Sequence, residues 1–244
     1  MRITKSNRTL QIIFTALLML SLVTIPVLAD FPQPSAPDVM TNISSQSPPA
    51  TGGYAMTTNG GTITTLNIDA TTQNPHWKAY VGNISGKLAL QDANNNSVYD
   101  WNLTSMEGEI YATRKTDTVE WGSIGCANTT TIQAEETALN MTSSDKDSII
   151  NTFTKKNHTS FYAGLTSITA DSCNSTNLYA NNQSSSEFEE LLLHDGNDMV
   201  YAALLEDSIT GFDGKEYDFQ MILPDSGLEG SQTPETYYFY VELI

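Results

Sequence analysis

Apolar residues recur at every second position near the end of this chain. Tyr217, Phe219, Met221 and Leu223 share one face of an extended segment, and Asp218 and Gln220 share the other. The ending repeats the pattern with Tyr237, Phe239, Val241 and Leu243. Aromatic and β-branched residues at period two predict half-buried strands. Asp213-Gly214 predicts a hairpin turn, because both central residues of a type I′ turn need a positive φ. The same alternation runs earlier, from Gly60 to Glu120, as a meander of short strands. Its members are Thr62 to Ile68, Trp77 to Ile84, Lys87 to Gln91, Val98 to Leu103, Glu109 to Thr113 and Thr118 to Trp121. Leu88 and Leu90 are expected inward on one strand, and Tyr99, Trp101 and Leu103 on the next. Turn signals about every ten residues predict an antiparallel β-sandwich.

The texture changes between the two cysteines. Glu135, Glu136, Leu139 and Met141 suggest a short helix, and Ser143 or Ser144 is placed to cap a second from Asp145 to Phe153. Residues 127–172 therefore read as a partly helical insertion, with Phe161 to Thr169 returning to the sheet. Asn174 to Ser186 reads as a polar loop.

The chain opens with Arg2, Lys5 and Arg8 before an apolar run to Leu28, and Val27-Leu28-Ala29 offers small residues for cleavage. Residues 1–29 are read as a secretory signal, which leaves no membrane span after cleavage. Residues 30–53 hold five prolines among Ser and Thr and read as a stiff linker to one β domain, residues 54–244.

Charge narrows the range of partners. The net charge is −17, and losing Arg2, Lys5 and Arg8 makes it more negative. From Ser184 onward there are 14 acids against Lys215 alone. Such a surface repels nucleic acid and anionic lipid. Cys126 and Cys173, an isolated pair in an exported chain, read as one disulfide.

Nine of the 18 asparagines after Ala29 begin an Asn-X-Ser/Thr triplet: Asn42, Asn83, Asn95, Asn102, Asn128, Asn140, Asn157, Asn174 and Asn182. In an exported protein these are acceptors for N-linked glycans. Asp92, Asn94 and Asn96 match the first three ligands of a Ca²⁺ loop. Ser97 and Leu103 then stand where Gly and a bidentate Glu are needed, and a turn explains the run equally well. Asp195, Asn197, Asp198, Asp213, Glu216 and Asp218 form a second oxygen-rich set that could gather at one end of a sheet. Trp77, Tyr80, Tyr99, Trp101 and Trp121 could stack on sugars, although rings at period two more often form core. Tyr238 and Tyr240 are the better exposed candidates for a ligand platform, and an aromatic last strand could pair with another subunit. Signatures of serine hydrolases, zinc proteases, phosphate loops and dithiol redox centres are missing. His194-Asp195 is the one His–carboxylate neighbour pair, and a hydrolase built on two converging carboxylates stays open.

The run His194-Asp195-Gly196, Val200-Tyr201, Leu204-Leu205-Glu206-Asp207, Gly211-Phe212-Asp213, Tyr217 to Met221 and Tyr237 to Leu243 resembles a group of exported archaeal surface proteins. The Trp77–Trp101 meander and the Cys126–Cys173 insertion resemble it too. The resemblance implies a β-rich envelope protein and carries over no catalytic residue. The expected role is non-catalytic: envelope structure, adhesion or filament assembly. Its partners would be other envelope proteins or a second copy joined through an edge strand. A carbohydrate-binding module taking polysaccharide is the first alternative, and a secreted hydrolase the second.

Overall fold

A computed structural model describes residues 33–49, 52–227 and 234–244. The signal sequence and its cleavage site lie outside the described residues.

The strands follow in chain order. The first four are β1 (Trp77–Gly82), β2 (Lys87–Gln91), β3 (Ser97–Asn102) and β4 (Gly108–Thr113). A single 3₁₀ turn, Trp121–Ser123, leads to β5 (Gly125–Cys126). Helices α1 (Thr129–Ala138) and α2 (Ile149–Thr152) come next, followed by β6 (Phe161–Ala163) and β7 (Thr166–Ile168). Then come β8 (Ser175–Ala180), β9 (Gln183–His194) and β10 (Met199–Leu204). The last four are β11 (Ile209–Thr210), β12 (Glu216–Tyr217), β13 (Phe219–Pro224) and β14 (Tyr238–Leu243). The protein is mainly β, and every strand pairing among the described residues is antiparallel.

The centre is a six-stranded sheet ordered β14-β4-β10-β9-β5, with β8 also on β9. β9 reads Leu191-Leu192-Leu193 and β10 reads Val200-Tyr201-Ala202-Ala203-Leu204, and all of these residues are buried. A continuous apolar run is what a strand covered on both faces requires. Leu192, Tyr201, Ala203 and Ala112 face one layer, made of Met221 and Leu223 of β13 with Ile132, Ile149 and Phe153 from the helical segment. Leu191, Leu193, Val200, Ala202 and Tyr111 face the other, made of Val119, Trp121 and Ile124 with Phe161, Ala163 and Ile168 of the β6–β7 hairpin. β13 pairs with β1 as a two-stranded ribbon, in register from Trp77↔Pro224 to Gly82↔Phe219.

The insertion is therefore part of the core. β5 and β8 lie end to end along the same edge of β9, with Cys126 opposite Leu193 and Ser175 opposite Leu191. A disulfide joins Cys126 to Cys173 across that junction. From this neck the chain covers both faces, placing α1 and α2 on one and β6–β7 on the other.

Several expectations are corrected. Thr62 to Ile68 forms no strand, and residues 52–75 are exposed throughout. The β-prone residues there have no partner strand to cover them. The meander is divided among three sheets, because β1 joins β13, β2 joins β3 and β4 enters the central sheet. Thr118 to Trp121 forms no strand: Trp121 opens a 3₁₀ turn, and Val119 and Trp121 both join the second layer. Phe161 to Thr169 forms its own hairpin and does not return to the main sheet. The second helix is one turn, capped by Ser148. Asp145 instead accepts from the Thr142 backbone N–H.

The polar stretch after Asn174 forms the longest hairpin among the described residues, β8–β9. Asn181 and Asn182 take φ of 48° and 61°, as a two-residue type I′ loop demands. Asp213-Gly214 is not such a loop. Five residues join β11 to β12, and of this dipeptide only Gly214 takes a positive φ. The linker is pinned at one point. Pro34 is buried, and Ser35 exchanges two backbone hydrogen bonds with Val241 of β14 at 3.0 and 2.8 Å.

Candidate functional site

The most exposed ordered structure is the β2–β3 hairpin. Cross-strand register sets Leu88 opposite Trp101 and Leu90 opposite Tyr99. Alternation then places these four on one face and Lys87, Ala89, Asp100 and Asn102 on the other. The apolar four are 42, 51, 58 and 60 % exposed for Leu88, Trp101, Leu90 and Tyr99 respectively. The Tyr99 and Trp101 rings meet edge to face with centroids 4.9 Å apart. These residues were expected inward. Among the described residues nothing covers them, because β2 and β3 pair only with each other. A two-stranded hairpin is marginally stable alone in water. The polar face adds an exposed Lys87–Asp100 ion pair, of a kind that contributes little.

The hairpin turn carries the Asp92, Asn94 and Asn96 run. Asp92 Oδ1 accepts from the backbone N–H groups of Asn94 and Asn96 at 2.8 and 2.9 Å. Its Oδ2 accepts from the Asn96 side chain at 2.9 Å. These bonds, that of Asn96 Nδ2 foremost, hold the Asp92 carboxyl below its usual range. Asn95 supplies the positive φ, 62°. Both carboxyl oxygens of Asp92 thus close the turn, with the Asn94 and Asn96 backbone N–H groups and the Asn96 amide as donors. The second acidic set divides between opposite ends of the twelve-residue β9. Asp195 and Asp198 lie at the β9–β10 turn, whereas Gly214 lies against Asn181 of the β8–β9 turn.

The platform residues of β14 separate by alternation. Tyr238 is 41 % exposed. Tyr240 packs against Trp121 at 5.4 Å and joins the second layer, so the two do not form one surface. Trp77, Tyr80 and Trp121 also pack into core.

The acceptor asparagines Asn42, Asn83, Asn95, Asn102, Asn128, Asn140, Asn157 and Asn182 are exposed, and Asn174 is half-buried. Asn174 donates to Phe153 O and Asn157 donates to Asn177 Oδ1, so both amides have partners. Asn83, Asn95 and Asn102 sit at the base, the tip and the polar face of the hairpin.

Three charged groupings deserve a chemical reading. Glu109 and Glu242 face each other across β4 and β14, with Tyr111 donating to Glu242 at 3.2 Å. Burial, reinforced by the Glu242 charge, pushes the Glu109 carboxyl up to about 8. Glu242 also accepts from Gly164 N–H at 2.9 Å, which ties β14 to the β6–β7 turn. Secondly, His76 Nδ1 meets Asp147 Oδ2 at 2.8 Å, and Asn74 donates to the same oxygen. The pair fastens the entry to β1 onto the segment before α2, helped by Trp77 Nε1 donating to Asp147 O at 2.7 Å. No described Ser, Thr or Cys is hydrogen-bonded to the far nitrogen of His76. His194-Asp195 does not cooperate, since His194 accepts from Gly196 N–H and Asp195 binds Lys115.

The third grouping lines a cavity of about 280 Å³ between α1 and the β9–β10 turn. Both of its cations are already paired. Arg114 reaches Glu235 at 2.9 Å and Glu135 at 3.2 Å, and Lys115 reaches Asp195 at 2.6 Å. Burial alone would raise Asp195, but Lys115 and three backbone N–H groups outweigh it and hold the carboxyl at about 2. Sequence reasoning missed this network, because its members lie far apart and only folding brings them together.

No protein-family model, curated protein or solved structure matches this chain. Among the described residues no helix is long and apolar enough to cross a membrane, and no three His, Cys, Asp or Glu side chains gather as a metal site.

Proposed function

We propose that this chain is a non-catalytic exported protein of an archaeal envelope, acting in structure, adhesion or filament assembly, and that it makes its contacts through the β2–β3 hairpin. The observation that carries this reading is the bare face of Leu88, Leu90, Tyr99 and Trp101 on an otherwise acidic molecule. Clustered apolar exposure of this kind marks an interaction surface. The disulfide and the exposed acceptor asparagines agree with export. The resemblance to exported archaeal surface proteins supplies the envelope setting. The converging carboxylates and the His76–Asp147 pair act within this reading as fasteners between layers.

Surface biotinylation of intact source cells tests it. The chain is expected among the labelled proteins and to lose mass on enzymatic deglycosylation. Exclusive recovery from the cell interior, unlabelled and unglycosylated, overturns the reading.

A carbohydrate-binding role has its own support in the adjacent exposed rings of Tyr99 and Trp101. The edge-to-face angle of 67° gives no flat platform, which favours a protein partner. Binding on a glycan array that is lost in Trp101→Ala would reverse that preference.

A further inference from the structure

Among the described residues the hairpin has no cover, and a second segment has no partner strand. From Val39 to Ile68 there is no charged residue, in a chain with 28 acids and 11 bases. Residues 52–68 are exposed throughout. Ile63, Leu66 and Ile68 are 98, 51 and 79 % exposed. Thr62-Ile63-Thr64-Thr65-Leu66-Asn67-Ile68 has the composition of a strand, with Thr64, Leu66 and Ile68 on one side and Ile63 and Thr65 on the other. Asn59, Gly60 and Gly61 make a turn just before it, with Thr62 Oγ1 donating to Asn59 O at 2.9 Å. It lacks only a sheet to join.

We propose that residues 62–68 of one copy add as a third strand to β2–β3 of a second copy. This deepens the filament-forming version of the proposed function and rests on it.

Three arguments select a second copy. The first is electrostatic. Two copies that each carry a large net negative charge repel one another, so contact is most favourable where neither side brings charge. The uncharged run and the face of Leu88, Leu90, Tyr99 and Trp101 are such surfaces, and each lies beside the other in the chain order. The second is structural. A hairpin gains independent stability from a third strand, and both β2 and β3 have an outer edge among the described residues. Main-chain hydrogen bonds along that edge would supply affinity. Leu66 and Ile68 would extend the existing apolar face and supply register. The third is geometric. Donor and acceptor are different surfaces of the same chain, so the contact is heterologous and each added copy leaves one donor and one acceptor free. Growth then continues into a chain of subunits. The glycan acceptor Asn102 lies on the opposite face of the hairpin, and Asn95 at its tip, so glycans there leave the apolar face clear.

Sedimentation velocity on the disulfide-bonded chain from Asp30 onward tests the proposal, between about 1 μM and 1 mM. The wild-type chain is expected to form a concentration-dependent ladder of oligomers. Leu66→Asp with Ile68→Asp removes the donor, and Leu88→Asp with Trp101→Asp removes the acceptor. All four side chains are exposed and lie outside the central sheet, so both variants are expected to keep the wild-type melting temperature. Each alone is expected to weaken association about tenfold or more. Mixed together, they should form a heterodimer that grows no further, because that pair retains one working donor and one working acceptor. A wild-type chain that stays monomeric throughout overturns the proposal. So does association that only the acceptor variant abolishes, which would mean hairpin-to-hairpin dimers, or a ladder that survives in both variants. Any of these leaves the surface-labelling test of the envelope role intact, so the two readings fail separately.

Discussion

The β9–β10 and β2–β3 hairpins place apolar side chains on paired antiparallel strands, yet one is the centre of the molecule and the other is bare. In β9 and β10 both faces are apolar, with Leu191 and Leu193 on one side and Leu192 on the other. Each face finds a layer: β1–β13 with the helices, or the 3₁₀ turn with β6–β7. In β2 and β3 only one face is apolar, and among the described residues no layer reaches it. Period-two patterning thus identifies a strand, but burial depends on whether another element is supplied to cover that face. Here the covering elements come largely from the disulfide-closed insertion, which is spent entirely on the central sheet.

The difference can be broken first at the neck. Cys126→Ala with Cys173→Ala frees a loop with a sequence separation of 47. Chain entropy puts the cost at about 4 kcal/mol, read from urea denaturation. Because the insertion covers both faces, the loss should appear in the central sheet and leave the β2–β3 amides as they were. Next in size, Leu192→Ala should cost about 3 kcal/mol, as full core truncations do.

A pH series sharpens the contrast. Burial raises the Glu109 carboxyl to about 8 and raises Glu190 as well, against one opposing hydrogen bond from Ile222 N–H. Each folded form holds its proton where the unfolded chain releases it. Stability should therefore fall as pH rises from about 4.5 toward 8. Asp195 acts in the opposite direction: its contribution is present above the unfolded value of about 3.9 and is lost as pH falls through about 2. The optimum should lie at roughly pH 4–5. Glu109→Gln should flatten the alkaline limb by about 1.4 kcal/mol per pH unit at most, with Glu190 keeping part of the slope. The smallest expected effect is in the hairpin. Trp101→Ala should change stability by about 0.5 kcal/mol or less, since its ring has no layer to lose.

Much of this fold was legible in the sequence. The strands at Trp77, Lys87, Val98, Glu109, Phe219 and Tyr238 sit where alternation and aromatic content place them, and Cys126 does pair with Cys173. Their assignment to sheets was not legible. Register between Tyr80 and Met221, or Tyr111 and Tyr240, is settled by packing across more than a hundred residues, which local pattern does not carry. The β8–β9 hairpin was missed because its turn is Asn181-Asn182 rather than Asn-Gly, and because its strands begin with polar residues. The candidate site was half legible. The rings of Tyr99 and Trp101 stand out in the sequence, but their alternation is the same as that of Tyr237 and Phe239, which are packed on the core. What separates the two cases is a neighbouring layer, contributed by residues far away in the chain.

Native-state hydrogen exchange on the dilute, disulfide-bonded chain tests the central claim most directly. Amides of β9 and β10 should exchange only through global unfolding, while those of β2 and β3 should open locally at a small fraction of that free energy. Equal protection in the two hairpins would mean that β2–β3 is covered within a single chain, and would contradict the account.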